Sequence, residues 1–323
     1  MSPKLPKIDR AKVRTTSARA RHSKVAVRDE AKPHVAGASF ARFLDGLPRL
    51  LGAADLRLAI EAGARARKQR RTLLWGFGAH VIKVGLAPVV VDLLERGFVS
   101  GILMNGAGCV HDLELSMMGR TSEDVAESLD DGSFGMAGET AARLNRAIAS
   151  GAREGLGMGA AVGRDILESR DRYKQRSIIA TAARLDIPVT VHAAIGTDIH
   201  HMHPDADGAA IGATSHRDFE TATALVSTLE GGVFYNVGSA VILPEVFLKA
   251  LALARNLGSK VRRFTAVDLD FIRHYRPRVN VVERPTRLGG TGLSLTGQHE
   301  ILVPLLAAGL VEAAGRPARQ RRK

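Results

Sequence analysis

The stretch Val99-Ser-Gly-Ile-Leu-Met-Asn105-Gly-Ala-Gly-Cys-Val-His-Asp112 decides how this 323-residue chain is read. Its apolar run, 101–105, is short and flanked by glycine, which predicts a buried strand. The glycines after it predict a tight turn, and 109–118 predicts a helix. Four other runs end the same way. Leu73-Leu74-Trp75 leads into Gly76-Phe-Gly-Ala-His80. Ile187-Pro-Val-Thr-Val191 leads into His192 and the segment Gly196-Thr-Asp-Ile-His-His-Met-His203. Val233-Phe-Tyr-Asn236 leads into Val237-Gly-Ser239, and Val279-Asn-Val-Val282 leads toward Gly289-Gly-Thr-Gly292. In an open α/β sheet, ligands bind beyond the carboxyl ends of parallel strands. Polar groups from five distant segments are therefore expected to meet in one site.

Outward from these runs, the spacing predicts helices over 40–51, 53–70, 86–96, 137–150, 174–185, 219–229, 244–257 and 299–313. Strands are expected at 73–77, 101–105, 187–192, 232–237, 263–267 and 279–283. Pro88 suits a first helical turn and Gly97 a helix C-terminal cap. The region 119–135 reads as a polar loop, and 151–163 as a loop or short helix. Strands alternating with helices of this length predict a parallel sheet in an α/β layer sandwich. The expected organisation is a basic flexible arm over 1–36, a single α/β domain over 37–315 and a basic tail over 316–323.

The net charge of +13 resembles a nucleic-acid signal until it is located. Residues 1–34 hold ten Lys/Arg against three Asp/Glu, and 316–323 hold five Lys/Arg with no acid, which leaves about +1 for the body. The body therefore lacks a basic stripe. Weak contact with nucleic acid or an acidic partner is expected only through the ends, as salt-dependent binding. No apolar run approaches the ~20 residues that span a bilayer, so no membrane association is expected. The basic start lacks the apolar stretch of a secretory signal, and one cysteine, Cys109, excludes an intramolecular disulfide. A cytoplasmic protein is the expectation.

Several clusters carry candidate chemistry. Asn105, Gly106, Ala107 and Gly108 sit where a strand turns into a helix, a place where backbone N–H groups can approach a phosphate. His111 and Asp112 form a candidate acid–base or orienting pair at the start of that helix. His200, His201 and His203, with Asp198, Asp205 or His192, offer nitrogen and oxygen donors to a divalent metal. That cluster opens an alternative reading as a metal-assisted hydrolase or lyase, with a bound water as nucleophile. A third reading is a non-catalytic ligand-binding protein. Neither Ser215 nor Ser239 lies in a nucleophile-elbow pattern, so Ser-His-Asp hydrolysis is not supported.

From Leu73 to Ala313 the order of these blocks resembles the deoxyhypusine synthase family. The blocks are Gly76–Gly85, Val99–Asp112, Ile187–Ala193 with Gly196-Thr-Asp198, Tyr235-Asn-Val-Gly238-Ser-Ala-Val241, and Val303-Pro-Leu-Leu306. The resemblance implies a Rossmann-like parallel sheet with helices on both faces, bound NAD, and a homotetramer with sites at subunit interfaces. It also implies transferase chemistry on a polyamine-type substrate. By position, it places Ala107, Gly108, Thr197, Asp198, Gly238 and Ser239 at NAD. Departures accompany it. The family's nucleophilic lysine follows a Trp-Gly pair near the last helix, whereas here no lysine lies between Lys260 and Lys323 and the only tryptophan is Trp75. Arginine cannot form the imine, because its guanidinium stays protonated. His111 and His201 stand where the family carries carboxylates that hold a cation. The expectation is thus an NAD-binding transferase or oxidoreductase acting on a small amine-type or related substrate by a route other than a lysine imine. His111, Asp112 and His201 are its candidate acid–base groups.

Overall fold

Leu73–Phe77 (β1) and Val233–Val237 (β4) are buried at every position, a pattern that requires a cover on both faces. They pair in parallel at the centre of the computed structural model, which describes residues 3–315. Around them lie Gly101–Asn105 (β2), Val189–His192 (β3), Thr265–Asp270 (β5) and Thr291–Thr296 (β6). The six strands form one parallel sheet in the order β3-β2-β1-β4-β5-β6. This is the strand order of dinucleotide-binding α/β folds, with a crevice where the order reverses between β1 and β4.

The helices run in chain order as Phe40–Gly46 (α1), Leu51–Lys68 (α2), Ala79–Lys83 (α3), Ala87–Glu95 (α4), Gly106–Met118 (α5), Val125–Leu129 (α6), Gly138–Glu154 (α7), Met158–Glu168 (α8), Ile178–Arg184 (α9), Gly208–Ser227 (α10), Ile242–Asn256 (α11), Tyr275–Pro277 (α12) and His299–Gly315 (α13). Alternate strand residues face opposite layers. Trp75, Phe77, Ile102, Tyr235 and Leu269 join a core with α2, α4, α5 and α13. Leu74, Leu103, Phe234 and Ala266 pack with α10 and α11 on the other face. The two large polar aromatics of the first core are satisfied. The Trp75 indole N–H donates to the Phe98 carbonyl at 3.0 Å, and the Tyr235 hydroxyl donates to the Ala59 carbonyl at 3.0 Å. As expected, Pro88 lies in the first turn of α4 and Gly97 takes a positive φ just after it.

Several elements differ from expectation, among them a short helix, α6, inside the expected polar loop 119–135, and a helix that starts at Gly208, ahead of the expected 219. The run 279–283 is not a strand: Arg278–Glu283 continues α12 as a wide, π-type turn. Pro277 favours a helical start there, and the Asn280 side chain donates to Glu245 at 2.8 Å. The sixth strand is instead Thr291–Thr296, whose buried Leu293 and Leu295 alternate with polar residues. The glycine-rich stretch 151–163 holds the end of α7 and the start of α8. Gly159 is required there, because a Cβ would fall 1.9 Å from the Val189 carbonyl oxygen. Residues 3–36 lie outside the sheet with two short 3₁₀ turns, and their last part bonds to the α1 region through Lys32 to Gly46 and Arg49 to Asp29. The expected basic tail, 316–323, lies outside the described residues. Among the described residues, no helix is long and apolar enough to cross a membrane.

Candidate functional site

At the carboxyl end of β2, Asn105 caps α5 by accepting the Gly108 N–H at 3.0 Å. The loop after β3 brings Asp198 over the same turn. A Cβ on Gly106 would fall 1.9 Å from Asp198 Oδ2, so the close approach exists only because residue 106 is glycine. Asp198 is 5% exposed, and its Oδ2 has no hydrogen-bond partner. Burial pushes its carboxyl up to about 6, although the Ala107 N–H and the Thr197 side chain favour the ionised form. Asn105, Gly106, Ala107, Gly108, Thr197 and Asp198 thus meet as expected at one strand end. Ala107, Thr197 and Asp198 line a cavity of about 490 Å³ that also reaches His111, Glu114 and Lys83.

Deeper in that cavity a polar relay is held by α5. The Thr121 hydroxyl donates to Glu114 Oε2, so the Thr121 oxygen is the acceptor for His111 Nδ1 at 2.6 Å. This network assigns the proton of His111 to Nδ1 and leaves Nε2 as the basic nitrogen. Thr140 donates to the other Glu114 oxygen at 3.1 Å. Burial alone would raise the Glu114 carboxyl, but the nearby His111 ring and the bonds from Thr121 and Thr140 hold it below its usual value.

Asp112 is not the partner of His111, contrary to the expected pair. The neighbouring side chain points to the other side of α5, is fully buried, and caps α9. It accepts from the Ser177 hydroxyl and from the N–H groups of Ile178 at 2.8 Å and Ile179 at 3.1 Å. Adjacent residues on a helix do not share a face. The residue on the His111 face is Glu114, three positions on, with 3.7 Å between His111 Nδ1 and Glu114 Oε2.

The histidine segment does not assemble a metal site. Among the described residues, no group of three or more His, Cys, Asp or Glu side chains is arranged to hold an ion. His203 Nε2 donates to the Gly135 carbonyl at 2.9 Å, His192 bonds to Thr190 at 2.9 Å, and His200 is enclosed with neither ring nitrogen partnered. Burial, reinforced by His201 and His203, lowers His200 to about 4. His201 packs on the His200 ring at 4.3 Å. Its Nδ1 accepts the Gly196 N–H at 3.2 Å, so its proton is on Nε2, 3.8 Å from Asp198 Oδ2. His201 therefore joins the Asp198 corner of the site, while His200 and His203 diverge from it.

Across the β1–β4 crevice, Gly238 and Ser239 lead into α11. Gly238 has φ +69°, and a Cβ there would fall 2.8 Å from His299 Nε2. The buried His299 ring donates from Nε2 to the Leu269 carbonyl at 3.2 Å and meets the His80 ring edge-on at 5.1 Å. Asp270 lies 3.8 Å from it, and Asn236 donates to Asp268 at 2.8 Å. Burial raises Asp268 to about 6. Sequence reasoning missed Glu114, Thr121, Asp268, Asp270 and His299. The three-residue step from His111 to Glu114 on a predicted helix was a usable signal for the first. The two aspartates were hidden because the strand was expected to stop at 267.

No family model matches this chain, and no curated protein matches it by sequence. Solved structures do match by fold. A conserved LOR/SDH protein from Methanococcus maripaludis S2 superposes with a TM-score of 0.51 at 15% identity, covering 81% of this chain and 70% of that one. A protein from Entamoeba histolytica assigned as a deoxyhypusine synthase gives 0.50 at 11% identity, covering 87% and 96%. ArgZ, an arginine dihydrolase from the cyanobacterial ornithine-ammonia cycle, gives 0.50 at 19% identity, covering 81% of this chain. The chain spans about a third of the length of ArgZ, at 32%. The fold is therefore α/β, Rossmann-like and similar to that of deoxyhypusine synthase.

Proposed function

We propose that this chain is an NAD-binding enzyme, a transferase or oxidoreductase, that acts on a small amine-type substrate in the His111 cavity. The observation that carries the reading is the His111–Thr121–Glu114 relay, which opens into a cavity at the carboxyl edge of a 3-2-1-4-5-6 sheet. A half-buried imidazole with its proton fixed on Nδ1 is arranged to take a proton at Nε2. Ionised Glu114 then stabilises the resulting charge through Thr121. The three carboxylates that line the cavity, Glu114, Glu123 and Asp198, suit a ligand bearing ammonium or hydroxyl donors, with Lys83 and Arg120 as the cations of the same wall.

The crevice between β1 and β4 fits a dinucleotide. Gly78 and Gly238 keep both strand ends free of side chains, Ser239 stands at the start of the long helix α11, and the unpartnered Asp198 Oδ2 can accept a hydroxyl. NAD, when bound, would supply hydride acceptance or donation. The chain's own residues would bind the substrate, orient it and move its proton at His111 Nε2. The absence of lysine from 261 to 322 supports a route other than a lysine imine. A homotetramer and a cytoplasmic location belong to the same proposal, by likeness to the deoxyhypusine synthase fold.

The test is binding of NADH to the purified full chain, read by fluorescence, followed by a screen of di- and polyamines and basic amino acids for NADH formation at 340 nm. Saturable NADH binding, with turnover lost in His111→Gln, is the expected result. Failure to bind NADH or NAD+ at millimolar concentration refutes the cofactor reading.

A further inference from the structure

The ten Lys/Arg of residues 1–34 are all exposed, on an extended segment whose only regular elements are the 3₁₀ turns Arg10–Lys12 and Val27–Asp29. The segment is tied to the body where the Lys32 N–H donates to the Gly46 carbonyl at 2.8 Å and the Arg49 N–H donates to the Asp29 carbonyl at 2.9 Å. The end of α13 reaches the same place, because Glu312 and Ala313 share a groove with Leu44, Asp45 and Leu47 of the α1 region. Five more Lys/Arg follow Gly315 in the sequence, outside the described residues. Both basic segments therefore join the body at one corner, built by α1, the first turns of α2 and the end of α13.

At that corner the arm and α1 enclose a cavity of about 410 Å³. Its charged and titratable lining is Lys32, His34, Arg42 and Asp45, and Asp45 faces Arg57 at 3.8 Å. Phe43 stands in the wall, 38% exposed, with the His34 ring edge-on at 6.1 Å and the Phe40 ring behind it at 5.9 Å. An open aromatic ring beside flexible cations is an arrangement on which a nucleobase stacks while its phosphates meet the cations. The adjoining groove between α1, α2 and α13 sets Asp45, Glu61 and Glu312 against Arg57, so a polyanion is repelled there and kept on the arm side. Other occupants fit less well. The body between the two basic segments carries about +1, so a second copy offers no net acidic charge. The exposed Leu5, Ile8, Val13, Val25 and Val27 of the arm are not gathered on one helical face, which a membrane surface would need.

We propose that this corner is a binding site for single-stranded nucleic acid, with the cations of the arm along the phosphates and one base on Phe43 beside His34. The site is independent of the proposed enzyme, because it shares no residue with the His111 cavity. The Phe43 ring supplies the preference for an unpaired base, which a duplex cannot offer. The arm supplies sequence-independent affinity through released counterions.

The full chain is titrated into a labelled single-stranded RNA of about 15 nucleotides, a length matched to one compact site, and binding is read by fluorescence anisotropy. The same RNA annealed to its complement and phosphatidylserine vesicles are the comparisons. Binding of the single strand is expected to weaken about 10²–10³-fold between about 0.05 and 0.2 M salt, as about six phosphate contacts require. Replacing Arg10, Arg14, Arg19, Arg21 and Arg28 together by Gln should weaken it about tenfold or more and flatten that salt dependence. His34→Ala with Phe43→Leu should weaken it about tenfold with the salt dependence unchanged, because the pair removes stacking and no fixed charge. Thermal unfolding checks that both variants are folded, and His34→Ala alone, at an exposed position, serves if the Phe43 change loosens α1. The proposal is overturned if the single strand does not bind at the lower salt, if the duplex or the vesicles bind as tightly, or if the His34 and Phe43 changes leave affinity for the single strand unchanged. None of these results decides the NADH test, and failure to bind NADH leaves this site standing.

Discussion

Replacing Asp112 separates a structural carboxylate from a catalytic one. Asp112→Ala strands three buried donors at the start of α9: the Ser177 hydroxyl and the amides of Ile178 and Ile179. Each stranded donor costs about 1–3 kcal/mol, partly relieved by relaxation, so a loss of about 3–5 kcal/mol is expected. Asp112→Asn keeps one acceptor oxygen and should lose about half of that. The pH dependence is diagnostic. Burial raises the Asp112 carboxyl from 3.8 to about 6, against the bonds from Ser177, Ile178 and Ile179. A carboxyl whose folded value lies above its unfolded one stabilises the fold below about pH 4, and this contribution is lost as pH rises through 6. For this shift the loss between pH 4.5 and pH 8 is about 2 kcal/mol. Urea unfolding followed by fluorescence of Trp75, the only tryptophan, should therefore show wild type losing about 2 kcal/mol more than Asp112→Asn over that range. The reasoning fails if Asp112→Asn abolishes turnover while its unfolding midpoint and pH profile match wild type, because Asp112 would then serve chemistry rather than α9.

Other outcomes follow from the same geometry. His111→Gln should lower turnover about 10²–10⁴-fold with little change in melting temperature, measured by steady-state kinetics on whichever substrate the NADH screen finds. Thr121→Val removes the link between His111 and Glu114 and should lower turnover less than His111→Gln, while a larger effect would assign the proton transfer elsewhere. Gly159→Ala drives a methyl into the Val189 carbonyl and should destabilise by about 3 kcal/mol or more, visible as a lower urea midpoint. Elemental analysis of the purified chain should find no stoichiometric divalent metal, and the double variant His200→Ala, His203→Ala should leave that content unchanged; a full equivalent lost with the histidines would restore the metal reading.

The sheet was legible wherever strands were buried on both faces. Leu73–Trp75, Ile102–Met104 and Val233–Tyr235 are continuous apolar runs that no surface helix would carry, and glycine lies close to their ends. The sixth strand was not legible, because at an edge only Leu293 and Leu295 need burial, and the flanking glycines resemble a loop. The opposite error at 279–283 has the same origin: a short apolar run has no period, and Pro277 was the better guide. Within the candidate site, Asn105–Gly108 and Asp198 could be brought to neighbouring strand ends from sequence because strand-end position needs no knowledge of side-chain direction. Direction is what failed for Asp112. His111 and Asp112 are neighbours in sequence but lie about 100° apart around α5, so one enters the cavity and the other the core. Thr121 could not be found at all, since a loop threonine becomes a relay only when the fold brings it to His111.

The strand order also bears on how the protein is made. Strands β1 to β3 and β4 to β6 each follow one another in the chain, whereas the central seam joins Leu73 to Val233, about 160 positions away. A nascent chain can assemble the first three strands long before β4 leaves the ribosome, but it then holds only one wall of the crevice. The crevice proposed for a dinucleotide comes into being only when the seam closes, whereas the His111 cavity is lined by residues 83–199 alone. If the proposed dinucleotide binds there, it should accordingly retard unfolding without hastening folding, acting as a latch on the finished fold and not as a template for it.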